Sequence, residues 1–315
     1  RYIQKRQHKP MITMNFSDIL FINGCTLDHP SRYRVSHQIE QLQFQGISCD
    51  QIFYEDLYHE LAFCYRAFVF FRCPFTEKVG ELIKLAKSQN KLTVFDIDDL
   101  VFDYQYVKDI RHLSTLSEND YENYMDGVSR MGRTLSLCDC AITTTEALAT
   151  ELRKIVPEVF INRNVASERM VTLSQYALKK QKHSSDSSII LGYFSGSITH
   201  NPDIELIVPV LQELMAEYDH VFLKLVGFLD VPAELKEYAN RVSVEPFVEW
   251  ERLPELLASI DINLAPLEDT LFNSAKSENK WIEAALVKVP TVASNIGAFG
   301  RMIQHEETGL LCSTL

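Results

Sequence analysis

Short apolar runs and longer stretches of helical periodicity alternate along almost the whole chain. DILFING (18–24) precedes the helical pattern SRYRVSHQIEQLQFQG (31–46), and AFVFF (67–71) precedes TEKVGELIKLAKSQN (76–90). LTVFDIDDL (92–100) follows, and CAITTT (140–145) leads into EALATELRK (146–154). Uniformly apolar strands separated by helices are the pattern of parallel sheets with crossover connections. Around 174–188 the chain turns polar, SQYALKKQKHSSDSS, which reads as a linker or exposed loop. The alternation then resumes: SIILGYF (188–194), PDIELIVPVLQELMAEY (202–218), VFLKLVG (221–227), AELKEYA (233–239), WERLPELLASI (250–260), DINLAP (261–266), SENKWIEAALV (277–287) and PTVAS (290–294). The expectation is an α/β protein of two Rossmann-like parallel-sheet domains, residues 1–172 and 189–315, joined through 173–188. Facing one another, they would leave a cleft at the carboxyl ends of their strands, where such sheets bind ligands.

Composition narrows the chemistry. With 315 residues, 46% of them hydrophobic, the chain can bury two cores, each of about 150 residues. Its 31 basic and 43 acidic residues give a net charge of −12, which argues against nucleic acid as a partner, since duplex binding relies on a broad cationic surface. An anionic ligand would have to be met locally. No apolar run approaches the roughly 20 residues of a membrane span, and the start of the chain lacks a leader pattern, so a cytoplasmic protein is expected. The seven cysteines (25, 49, 64, 73, 138, 140, 312) form no CxxC pair and read as small buried side chains.

The candidate chemistry sits at strand exits. After ILGYF comes SGSITHNPD (195–203), where Gly196 and Ser197 let the backbone approach a ligand and exposed amides favour an anion. The chain has neither GxGxxG nor GxxxxGK[ST], so the usual dinucleotide and P-loop readings lose their main support. A second loop, LEDTLFNSAKSENK (267–280), runs into a helix whose first turn holds Ser277, Glu278 and Asn279, with Lys276 just before it. A lysine beside free helix-start amides can hold a phosphate, and a carboxylate further along, Glu283, can accept hydrogen bonds from vicinal hydroxyls. Phosphate and ribose together describe a nucleotide. The alternative is a solvated lysine and a glutamate on the outer helix face, although Ile282 and Ala284 beside Glu283 imply partial burial. In the first half, DIDDL (96–100) places Asp96, Asp98 and Asp99 at a strand exit, for acceptor orientation or proton transfer, or for capping and turn formation. Alternation along an extended segment would send Asp96 and Asp98 to one side and Asp99 to the other. Arg72, Tyr33 and Arg34 are further candidates, for the acceptor or for the core.

These segments resemble a known family. GYFSGSITHNPDIE, LKLVG, FVEWERLPELLASIDINLAPLE, AKSENKWIEAALVKVPTVASNIGAF and HEETGLL are similar, in order and spacing, to the donor-binding domain of GT-B glycosyltransferases of retaining family 4, or group 1. The first half is similar to the acceptor domain of a subset of these enzymes, through SRYRVSHQIEQLQFQG, FFRCPFTEKVGELIKLAKSQNKLTVFDIDDLVFD, CDCAITTTEALATELRK and INRNVASERM. The resemblance implies a sugar transferase, hexosyl or deoxyhexosyl, needing no bound metal and no cofactor beyond its nucleotide-sugar donor. Its acceptor would be a glycan, lipid-linked or polymer molecule of bacterial cell-surface polysaccharide synthesis, met in the cytoplasm or at the inner face of the membrane, with peripheral membrane association. In the family a Glu-x7-Glu element contacts the donor; Glu283 takes its second, ribose-binding place, while Ala275 replaces the first glutamate. Lys276 or Glu278 would then take over part of the sugar contact, Glu278 as a catalytic candidate beside Asp98 and Asp99. Gly196 and Ser197 match the glycine loop at the diphosphate; His200 and Asn201 stand where basic residues often follow it, and His200 becomes a phosphate or sugar contact. Arg163 and Asn164 match a hinge-proximal position on the cleft. Ala275 keeps two alternatives open: an inert GT-B module serving a partner transferase, and a GT-B sugar-nucleotide epimerase. Family members continue past HEETGLL, so this chain, ending at Leu315, is expected to be truncated or one part of a larger polypeptide.

Overall fold

A computed structural model describes residues 17–108, 110–180, 187–197 and 201–313. The chain divides into two compact units, residues 1–165 and 166–315, each built on a six-stranded, all-parallel sheet.

In the first unit the strands are β1 (Ser17–Asn23), β2 (Cys49–Phe53), β3 (Tyr65–Phe71), β4 (Leu92–Asp96), β5 (Cys140–Thr143) and β6 (Val159–Ile161), in the order β2-β1-β3-β4-β5-β6. Helices cover both faces, so inner strands bury both sets of alternating side chains and lose any polar alternation. Thus Phe68, Phe70 and Phe71 are fully buried on β3, as are Leu20 and Ile22 on β1. The helix Glu77–Ser88 shows why a crossover forms. The Thr76 hydroxyl accepts the Val79 N–H at 3.2 Å, and Val79, Leu82, Ile83 and Ala86 recur at helical spacing as its buried stripe. Burying the three larger side chains contributes about 1.5 to 3 kcal/mol each.

The second unit carries β7 (Ile189–Ser195), β8 (Val221–Gly227), β9 (Val242–Glu245), β10 (Ile262–Ala265), β11 (Thr291–Ser294) and β12 (Leu310–Cys312), in the order β12-β11-β10-β7-β8-β9. Numbered within the unit and read from the other edge, this is 3-2-1-4-5-6, the order of doubly wound dinucleotide-binding sheets. Its core holds Leu191, Tyr193, Ile204, Val208, Leu211, Leu223 and Leu225.

The boundary between units differs from the expectation drawn from polarity. Residues Glu168–Lys180 form a helix whose Met170, Ser174 and Ala177 are buried, and Ala177 packs with Leu257, Ala284 and Val287 of the second unit. The segment 173–180 is therefore helix rather than linker: its few apolar positions fall on one stripe, which suffices to dock a helix. Residues 181–186 lie outside the described residues.

Candidate functional site

In a doubly wound sheet the crevice opens where successive crossovers leave the same strand in opposite directions. In the second unit that place lies between β7 and β10, which pair directly while the chain runs from β7 through β8 and β9 before returning to β10. Gly196 and Ser197 leave β7 at this point. Gly196 is exposed, and a Cβ added to it would meet nothing within 4 Å, so the space over its backbone is open. The Ser195 hydroxyl donates to the Ser197 carbonyl at 2.8 Å and holds the turn. Behind it, β8 ends at Gly227, with φ +107° and an imagined Cβ only 1.9 Å from the Ser195 carbonyl oxygen. No other residue fits that approach.

The loop after β10 is stitched to the segment after β7 by one buried carboxylate. Asp203, in the short helix Asn201–Glu205, accepts the Glu268 N–H at 2.9 Å and the Asn273 side-chain N–H at 3.0 Å. The chain then passes Ala275, fully buried, to Lys276 and Ser277, both half-buried. Glu278 is the N-cap residue of the helix Asn279–Leu286; its carbonyl accepts from the Trp281 and Ile282 amides, and its side chain is buried. The helix thus begins after Glu278, two residues later than the start at Ser277 that its sequence suggested. Lys276 Nζ stands 5.3 Å from the centre of the Phe272 ring, and Glu283 is half-buried, as its apolar neighbours implied.

Sequence reasoning passed over Lys280, in the first turn of this helix. Its side chain is partly exposed along the stem, but Nζ is buried, has no hydrogen-bond partner among the described residues, and lies 4.5 Å from the centre of the Tyr193 ring. Burial pulls its pKa down to about 8; Asp203 and Glu283 oppose that and Lys276 adds to it. No local signal marked it, since the Tyr193 ring that Nζ faces comes from β7, far away in sequence.

In the first unit the corresponding reversal lies between β1 and β3. A Cβ on Gly24, just after β1, would lie 2.4 Å from the Cys73 Cα, so glycine alone allows the two exits to touch. Arg72 leaves β3 with φ +41°, a conformation costing roughly 1 to 3 kcal/mol in a non-glycine residue. Its Nε donates to Asp98 at 2.6 Å and its Nη2 lies 3.7 Å from Asp99. Burial, then the Arg72 charge, lowers the pKa of the neighbouring His29; burial and then Asp99 push Tyr124 up to about 12. The three aspartates do not alternate as an extended segment would dictate. β4 ends at Asp96 and the chain bends, so Asp98 and Asp99 both meet Arg72, while Asp96 points into the core.

Asp96 and Arg34, both fully buried, form a two-pronged ion pair, Nε to Oδ1 and Nη2 to Oδ2, each 3.0 Å. Arg34 Nη1 also donates to the Asn162 carbonyl at 2.6 Å and the Asn164 side-chain oxygen at 3.2 Å. Arg34, Tyr33 and Asp96 are thereby core residues, and Asn164 is buried beside them. Arg163, the next candidate, is half-buried. His200 lies outside the described residues.

A pair of doubly wound sheets, the second with a nucleotide-type crevice at its switch point, is the GT-B architecture. Residues 190–314 match the family model described as "Glycosyl transferases group 1", which makes the second unit a domain of that kind. The match spans both loops of the crevice and the helix Asn279–Leu286. Among solved structures, the Anabaena protein HepE in complex with UDP and glucose superposes with a TM-score of 0.55 at 13% identity, over 95% of this chain and 86% of that one. WaaG, described as a glycosyltransferase involved in lipopolysaccharide biosynthesis, gives 0.52 at 11% identity, over 93% and 85%. A putative UDP-N-acetylglucosamine 2-epimerase from Listeria monocytogenes gives 0.50 at 12% identity, over 88% and 78%. At these identities the likeness is one of fold. No curated protein sequence matches significantly.

Proposed function

We propose that the protein transfers a hexosyl or deoxyhexosyl group from a nucleoside-diphosphate sugar to a glycan, lipid-linked or polymer acceptor, in the synthesis of a bacterial cell-surface polysaccharide. The observation that carries this reading is the group 1 match falling on the switch-point crevice of the second unit. There an open glycine turn, a helix start and Lys276 suit a diphosphate, and Glu283 suits a ribose. The complex of HepE with UDP and glucose makes uridine nucleotides the first donors to try. The Arg72–Asp98–Asp99 cluster at the first unit's switch point supplies the acceptor side. The expected outcome is retention of anomeric configuration without a required metal, since helix-start amides and lysines can stabilise a departing diphosphate. No helix among the described residues is long and apolar enough to cross a membrane, so the proposed place at the inner membrane face would be peripheral.

The test is donor turnover, measured as nucleoside diphosphate release from a panel of sugar nucleotides with and without candidate acceptors. Release that depends on acceptor, with a glycosylated product, supports the transferase. Turnover to a free epimerised sugar nucleotide without acceptor would replace it with an epimerase. Tight nucleotide binding with no turnover would leave an inert module.

A further inference from the structure

We propose that Lys280, rather than Lys276 alone, is the cation that binds the diphosphate of the donor nucleotide. The inference rests on the nucleotide-sugar reading above and assigns a group within that site.

A buried ammonium with no hydrogen bond is expensive, because it gives up its hydration without gaining an acceptor. The Tyr193 ring face, 4.5 Å away, supplies attraction but no acceptor. The lysine is not displaced into this position by chance packing. The Asn263 side chain, buried on β10, donates to the Lys280 carbonyl at 3.2 Å and to the Thr291 hydroxyl at 3.1 Å, fixing the first helical turn against β10. A four-carbon stem could snorkel to water from a helix start, as lysines commonly do. This one instead turns its charge inward, under the junction of β7 and β10. A group held this way suits an anion that arrives with its own acceptor oxygens, and a diphosphate entering the open space over Gly196 is such an anion. The loop after β7 has no arginine or lysine between Gly196 and Asp203, so a counter-charge must come from another element.

The charged and titratable groups that face Lys280 are Asp203 from the segment after β7, Lys276 from the loop after β10, Glu283 from its own helix, and Tyr193 from β7. Only the first and third favour its charge, and burial outweighs them in the free protein. Binding a diphosphate would reverse that balance. Nucleotide binding should therefore take up a proton above about pH 8 and weaken as the pH rises further.

Calorimetric titrations of the full chain with UDP, GDP, ADP and dTDP at about pH 7.5 identify the tightest-binding diphosphate. It is then titrated at about pH 8.5 in two buffers of different ionisation enthalpy, against wild type, Lys280→Met and Lys276→Met. Lys280→Met is expected to lose about tenfold to a hundredfold in affinity near neutral pH, the scale of a charged hydrogen bond, and to abolish the proton uptake seen with wild type. Its ligand-free melting temperature should rise, because a buried unpaired charge has gone; a purely structural lysine would give a lower one. Affinity within about twofold of wild type, or unchanged proton uptake in Lys280→Met, overturns the assignment while leaving the nucleotide reading intact. Failure of wild type to bind any of the four diphosphates overturns both.

Discussion

The ion pair between Arg34 and Asp96 offers a sharp test of how the first unit is held together. Replacing Arg34 by Met keeps most of the stem volume and removes the guanidinium. Three acceptors then lose their donor at once: the Asp96 carboxylate, the Asn162 carbonyl and the Asn164 side-chain oxygen. Burial pushes Asp96 up to about 7, with Arg34 pulling against it, so the orphaned carboxylate would escape by taking up a proton. Even so, removing one member of a buried pair typically costs about 3 to 5 kcal/mol. The two abandoned neutral acceptors point to the same range, at about 1 to 3 kcal/mol each. Asp96→Leu alone should be costly for the mirror reason, leaving a buried guanidinium. The double replacement Arg34→Met with Asp96→Leu should recover much of the loss, since the remaining orphans are uncharged. Urea unfolding of the four proteins, followed by circular dichroism, closes the cycle. A single-variant loss below about 1 kcal/mol, or a double variant as unstable as the sum of both singles, would refute the pairing energetics argued here.

Other consequences are as direct. Glu283→Ala should weaken binding of the cognate nucleoside diphosphate by about 1 to 3 kcal/mol in calorimetry, without changing the fold by circular dichroism. Asp98→Asn and Asp99→Asn should cut transfer at least about tenfold with little change in nucleotide affinity, and full activity in both would remove them from the acceptor site. Gly227→Ala should cost about 2 to 4 kcal/mol in urea unfolding, because its Cβ has no room beside the Ser195 carbonyl and its φ is positive. Lys280 binds its proton less readily folded, near 8, than unfolded, so between about pH 8 and pH 10.5 the unfolded chain holds the extra proton and wild type gains stability as pH rises. The stability advantage of ligand-free Lys280→Met should accordingly shrink by about 3 kcal/mol across that window; an advantage independent of pH would show that Lys280 is not titrating there.

The strands that apolar runs revealed were β1, β3, β4 and β5 in the first sheet and β7, β8, β10 and β11 in the second. The four that escaped, β2, β6, β9 and β12, are the four edges of the two sheets. That division has a physical cause. An inner parallel strand is covered on both faces and paired on both sides, so nearly every side chain is apolar. An edge strand is paired on one side only: β9 reads VSVE with no residue fully buried, and β6 has Phe160 and Ile161 exposed. Its placement comes from the neighbour it pairs with, which no local pattern encodes. The helix Glu168–Lys180 was lost for a related reason, since one stripe of three buried positions looks polar when averaged.

The site shows the same limit at the level of single residues. Gly196, Ser197, Lys276, Glu278 and Glu283 could be placed near strand exits because turns and helix starts are local. Whether a charge points outward or inward is decided by what lies across the sheet. Two lysines four residues apart illustrate it: Lys276, in the loop, stands over the Phe272 ring, whereas Lys280 reaches across to the Tyr193 ring of β7, some 87 residues earlier in sequence. The three aspartates of DIDDL divide likewise. Asp96 is claimed by Arg34 from 62 residues away and becomes part of the core, while the bend after β4 turns Asp98 and Asp99 together toward Arg72. Position within a motif told which residues reach a strand exit; only the partner brought in by topology tells which of them is consumed by the fold and which is left to meet a ligand. By that criterion Arg34 and Asp96 are accounted for within the first unit, by one another and by Asn162 and Asn164, whereas the buried ammonium of Lys280 has no hydrogen-bond partner among the described residues.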